Sequence, residues 1–311
     1  MELGIIGLGK MGGNLALQCI EKGIRVVGKA RRPKPELKEK GVKVVQEYDE
    51  FVGSLKTPRV IFLSLPAGPT IDKVLKELVP HLNIGDVVMD GGNSYYKDSI
   101  RREAELSKLG IYFVDCGTSG GVEGARYGAC FMVGGKPGAI KFCEPVLKAL
   151  AVDRGYLHTG GPGSGHFVKL VHNGIEFGML QAIGEGVELL RRSKFDLNLR
   201  DIFRNWSHGS VIRGWLVELM EKGLGEIGDI KEIPDYVEDT GEVNWLVQEA
   251  VAKEIPIPVI THSVIELFRS RERESDAARA IAIMRYGFGG HPYGKDDYIA
   301  KERKTSRIHP I

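Results

Sequence analysis

Gly7-Leu-Gly9-Lys-Met-Gly12 constrains this chain more than any other stretch. It follows the apolar run Leu3-Gly-Ile-Ile6 at once and opens a helical pattern, Met11 to Lys22, that Gly23 stops. A strand that turns on three glycines straight into a helix is the start of a dinucleotide-binding βαβ unit. The first glycine permits the tight turn. The second lets a pyrophosphate approach the backbone, and the third lets the helix pack on the sheet with its N-terminus toward the phosphates. Gly7, Leu8, Gly9, Lys10, Met11 and Gly12 are therefore expected to form the cofactor turn.

The pattern continues as short apolar runs alternating with helical ones. Strands are expected at 24–28, 42–45, 59–65, 86–90 and 111–115, and helices at 34–40, 70–80 and 96–109. Continuous Val/Ile/Leu runs separated by helices indicate a parallel, doubly wound sheet, which binds ligands beyond the carboxyl ends of its strands. Leu65 and Pro66, closing the fourth strand, are expected at the cofactor. The character changes at Gly160-Gly-Pro-Gly163, after which the patterns are helical: 164–193, 198–206, 210–222, 242–253 and 258–285. The expected fold is α/β, a Rossmann-like doubly wound sheet over residues 1–162 followed by an all-α domain over 163–311 that ends in a glycine-rich tail.

Basic and acidic residues nearly balance, 43 against 41, which argues against a nucleic-acid-coating protein. The four cysteines form no CxxC pair, and no secretory leader or membrane span is legible, so a cytoplasmic protein with no membrane partner is expected.

Two places carry chemistry. In Lys169-Leu-Val-His172-Asn173-Gly-Ile-Glu176 the lysine and glutamate are seven residues apart. On a helix they lie within about 20° of one another and about 10 Å apart along the axis. Asn173 shares their face and His172 flanks it. A base and an acid so placed can work on opposite ends of a small substrate. The other place is the end of the second strand, Gly28-Lys29-Ala30-Arg31-Arg32. The acid that usually accepts from an NAD ribose is absent, and Arg31 and Arg32 suit a 2′-phosphate, so NADP is expected in preference to NAD.

With Asp90-Gly-Gly-Asn93-Ser94, Asp115-Cys-Gly-Thr-Ser119-Gly120-Gly121, Glu123-Gly-Ala-Arg-Tyr-Gly128 and Gly165 to Glu176 in view, the chain resembles the β-hydroxyacid dehydrogenases. Within them it closely resembles the decarboxylating 6-phosphogluconate dehydrogenases, and its length matches their shorter branch. The resemblance implies that Lys169 is the general base and Glu176 the acid that protonates C1, with Asn173 among the catalytic residues as a partner of a substrate hydroxyl. It places Ser119, Gly120 and Gly121 at the substrate carboxylate, Asn93 between nicotinamide and substrate, and His172 at a substrate hydroxyl. Arg269 would meet the phosphate. Arg285 and His291 would reach from the tail into a neighbour's active site, making a homo-oligomer, dimer or tetramer. No metal is implied, because the ketone formed on oxidation is itself the electron sink. Two departures bear on the phosphate: Phe177 replaces a tyrosine, and Thr240 stands where the longer branch has a lysine. The rival readings are a non-decarboxylating dehydrogenase of the 3-hydroxyisobutyrate type and a non-catalytic dinucleotide sensor.

Overall fold

The computed structural model describes residues 1–272, 274–289, 292–295 and 297. Its first half runs β1 (Glu2–Ile6), α1 (Lys10–Glu21), β2 (Arg25–Lys29), α2 (Pro35–Lys38), β3 (Lys43–Val45), α3 (Tyr48–Gly53), β4 (Val60–Leu63), α4 (Pro69–Leu78), β5 (Val87–Asp90) and α5 (Tyr96–Ser107). It continues through β6 (Tyr112–Ser119), α6 (Gly121–Tyr127), β7 (Ala129–Gly134), α7 (Pro137–Leu150) and β8 (Ala151–Gly160). The helices α8 (Ser164–Arg191), α9 (Leu199–Ser207), α10 (Trp215–Ile227), α11 (Val243–Ala252), α12 (Pro258–Arg271) and α13 (Asp276–Gly289) follow.

The eight strands form one sheet in the order β3-β2-β1-β4-β5-β6-β7-β8. The chain reverses its winding direction at β1, where the glycine turn lies, and this switch point opens a crevice at the strand ends. Period-2 alternation sends the continuous apolar runs to both faces. Ile5, Phe62, Met89 and Val114 join the core under α1 and α7, while Ile6, Ile61, Leu63, Val88 and Phe113 join the core under α3, α4 and α5.

Three expectations need correction. The sheet has two more strands than were read, and β7 pairs antiparallel with β6. The short α6 link returns the chain beside β6, and the Ala129–Gly134 run, bracketed by glycines, reads as loop without that partner. The helix expected over 258–285 is two helices, because Glu272 is extended with φ −84° and ψ 120°. The helix expected from 210 starts at Trp215.

The helical half packs on the sheet through α8. Its own N-cap, Gly163, offers no side chain. Buried Asp115, at the middle of β6, does that work from a distance: its carboxylate accepts from the amides of Gly163 (2.7 Å) and His166 (2.9 Å). Two orphan first-turn donors are thereby satisfied, and the rotation of α8 against the sheet edge is set.

Candidate active site

A cleft of about 2270 Å³ runs from the glycine turn to the helical half. Gly9, Lys10 and Met11 line it, with Leu65, Pro66, Asn93, Ser119, Gly120, Gly121, Lys169, His172, Asn173 and Glu176. Gly7, Leu8 and Gly12 sit behind the turn and shape it. Gly7 has φ +97°, and a Cβ on Gly12 would lie 2.0 Å from the Gly7 carbonyl oxygen. A Cβ on Gly9 would meet nothing within 4 Å, so its backbone faces open space. That is a surface a pyrophosphate can approach, at the start of a helix with no acid in its first turn.

Asn93 is presented by a turn that Asp90 builds. The buried Asp90 carboxylate accepts from the Ser94 hydroxyl at 2.8 Å and the Gly92 amide at 3.0 Å, and Arg102 lies behind it at 3.3 Å. Lys169 comes from the second turn of α8 and packs on β6, where Gly117 leaves room: a Cβ there would be 2.5 Å from the lysine Cβ. Lys169 is 9% exposed. Burial pushes its ammonium below the usual lysine range, against the opposing fields of Glu176, Cys130 and Glu242. Its Nζ lies 3.3 Å from His172 Nδ1. His172 Nε2 is 3.1 Å from Ser119 Oγ, and His172 Nδ1 is 3.2 Å from Asn173 Oδ1 and 3.8 Å from a Glu176 oxygen. Asn173 donates to Asn93 Oδ1 at 3.2 Å. A buried amine, a half-exposed carboxyl group and a row of amides thus face one cleft beside a glycine turn. The arrangement can take a proton at one point of a small polyol acid and return one at another.

Other expected residues fall elsewhere. Arg269 is solvent-facing, paired with Glu266 at 2.6 Å, and does not line the cleft. Its helix docks through Ser263 and Val264, and five residues on from Val264 is about 140° around, which turns the guanidinium away. Arg285 is exposed on α13 and also lies off this chain's cleft. His291 lies outside the described residues. Arg31 and Arg32 are exposed past the end of β2, and Arg31 lines a separate hollow of about 640 Å³ with Lys29, Tyr48 and Lys76. Phe177 and Thr240 both line the cleft. Among the described residues, no three His, Cys, Asp or Glu side chains converge as ion ligands.

Sequence reasoning passed over Glu242. It stands at the N-terminus of α11, lines the cleft, and accepts hydrogen bonds from Asn93 Nδ2 and from the Thr240 hydroxyl. The one signal available was the acid after Thr240-Gly241, just ahead of the helix that carries Trp245.

Comparison with known proteins follows the same line. A family model described as the NAD binding domain of 6-phosphogluconate dehydrogenase matches residues 2–160, and one described as that enzyme's C-terminal domain matches 165–303. A provisionally named 6-phosphogluconate dehydrogenase of Bacillus subtilis is 42% identical over 94% of this chain and 98% of its own length. The NAD(+)-dependent, decarboxylating 6-phosphogluconate dehydrogenase of Haloferax volcanii is 40% identical over 96% of this chain and 100% of its own. The Plasmodium falciparum 6-phosphogluconate dehydrogenase, solved in its apo form and with NADP+ and 6-phosphogluconate, superposes with a TM-score of 0.80 at 28% identity. That match covers 95% of this chain and 66% of the other. On these matches the chain belongs to the 6-phosphogluconate dehydrogenase family.

Proposed function

We propose that the chain oxidises and decarboxylates 6-phosphogluconate to ribulose 5-phosphate and CO2, with NADP or NAD as acceptor. The observation that carries this reading is the buried Lys169 amine sharing one cleft, and one helix, with Glu176 and the Gly9 turn. When bound, the nicotinamide supplies a place for the hydride leaving C3. Lys169, held toward its neutral form by burial, removes the 3-hydroxyl proton as that hydride departs. The C1 carboxylate now lies β to a ketone, so its bonding electrons flow into the carbonyl as CO2 leaves. The protonated Lys169 stabilises the developing enolate oxygen, and Glu176 delivers a proton to C1. Ser119, Gly120 and Gly121 hold the carboxylate end, and Asn93, His172 and Asn173 hold the hydroxyls and the nicotinamide edge.

At the cofactor's other end, Arg31 and Arg32 beyond β2 are free to meet a 2′-phosphate, which favours NADP. Arg31→Ala should raise KM for NADP about tenfold, a loss of one charge-assisted contact, and leave KM for NAD nearly unchanged. Equal effects on both cofactors would remove this assignment.

A second copy of the chain completes the site in this reading. With Arg269 turned away, Arg285 and His291 of a neighbouring copy supply the positive charge for the sugar phosphate. The exposed apolar side chains of α8, α12 and α13, including Leu189, Val259, Phe268 and Ile283, offer it a surface. Four free cysteines, three of them buried, fit a reducing, cytoplasmic setting. Turnover of 6-phosphogluconate, gluconate and 3-hydroxyisobutyrate with each cofactor tests the reading. The phosphorylated acid should have the highest kcat/KM, and a preference for 3-hydroxyisobutyrate would replace the reading with its rival.

A further inference from the structure

Five side chains that join the two halves of the molecule form one hydrogen-bonded row: Ser119, His172, Asn173, Asn93 and Glu242. The row has only one consistent direction. A carboxylate has no proton to give, so Glu242 accepts, and Asn93 must present its NH2 to it. The Asn93 oxygen then faces Asn173, whose NH2 must be the donor at 3.2 Å. The Asn173 oxygen in turn faces His172 Nδ1 at 3.2 Å, and an oxygen there needs a proton on that nitrogen. His172 Nε2 is left as the acceptor of the Ser119 hydroxyl at 3.1 Å. Flipping Asn93 would set its oxygen against the carboxylate and its NH2 against that of Asn173, and flipping Asn173 would set oxygen against oxygen.

We infer that Glu242 is a positioning residue: by anchoring this row it orients the Asn93 and Asn173 amides and fixes His172 as the Nδ1–H tautomer. The consequence falls on Lys169. Its Nζ lies 3.3 Å from that same Nδ1. A ring nitrogen that carries a proton offers no lone pair to an ammonium, whereas it can share its proton with a neutral amine. The row therefore favours the amine with its lone pair free. The charged and titratable groups facing Lys169, namely Glu176, Cys130 and Glu242, all favour the ammonium through their fields. The tautomer works against those fields, on the same side as burial. Glu242 thus has two effects of opposite sign on Lys169, one through space and one through the row.

The consequence for turnover rests on Lys169 being the base, but the tautomer itself is readable without substrate, so the two can fail separately. The test is the 15N spectrum of histidine-labelled full-length protein, with His172 assigned by its loss in His172→Gln. The wild type should show a pyrrole-type Nδ1 and a pyridine-type Nε2. In Glu242→Ala the Nε2–H form should gain population. The kcat of that variant should fall about 10–100-fold, as when an outer-shell orienting partner is lost, while the cofactor Kd stays within about twofold. A pyridine-type Nδ1 in the wild type overturns the inference whether or not the variant folds. So does a Glu242→Ala protein whose His172 spectrum matches the wild type.

Discussion

The two halves of the molecule are built by different economies. The sheet half is finished within one chain. Alternating strands fill two cores, and its buried charges are satisfied, Asp90 by Arg102, Asp86 by Arg59 and Asp115 by backbone amides. The helical half has two small clusters, one around Leu170, Val243, Leu246 and Val264 and one around Val187, Phe203 and Val217, and it leaves large apolar side chains in solvent along α8, α10, α12 and α13. Yet Lys169 and Glu176, the proton-transfer groups of the proposed reading, lie on that side. The difference teaches that scaffold and chemistry are separable here. The sheet carries the glycine turn, and the helices bring the face with Lys169 and Glu176, whose outer apolar surface a second copy covers in the proposed reading.

The largest expected effect separates those roles outright. Lys169→Ala should cost turnover at least about 10²–10⁴-fold and leave dinucleotide binding within a few-fold, because the glycine turn is built by other residues. Fluorescence titration of the cofactor beside a turnover assay checks both. Near-normal activity would take the chemistry away from α8. A second pair of variants makes one chemical change in each half. Phe113→Ala, at 2% exposure in the sheet core, should lose about 3–5 kcal/mol of folding stability by denaturant titration. Phe268→Ala, at 48% exposure on α12, should cost the isolated chain far less, and should instead weaken self-association in sedimentation runs. If both variants behave alike, the contrast between a finished and an unfinished half is wrong.

The smallest expected effect concerns pH. Lys169 is lowered by burial and raised by Glu176. Its deprotonation should therefore appear below 10.5 in the folded protein, and Glu176→Gln should move it lower still, since a raising charge is gone. Stability carries the same sign. Between the folded and unfolded titrations the unfolded chain binds the extra proton, so this residue's cost to folding is relieved as pH rises through that window. Lysine NMR titration of both proteins checks the order, and an upward shift in Glu176→Gln would contradict it.

The sheet was legible wherever a run of apolar residues met a punctuating glycine or proline, because local pattern alone decides such strands. It failed at β7 and β8, whose partners are set by a reversal through α6 that leaves no periodic mark. Lys169, His172, Asn173 and Glu176 were legible because helical spacing turns sequence distance into geometry. Arg269 was misplaced for the opposite reason: its direction depends on how α12 rotates against α8, which a motif does not encode. Glu242 went unread because its meaning arises only when α11 docks on the Asn93 turn, about 150 residues away in sequence.

The central claim is that one cleft oxidises C3 and then releases C1. Simultaneous measurement of reduced nicotinamide and CO2 from 6-phosphogluconate tests it most directly. The account predicts one CO2 for each nicotinamide reduced in the wild type, and loss of both products together in Lys169→Ala. Reduced nicotinamide formed with no matching CO2 would contradict it.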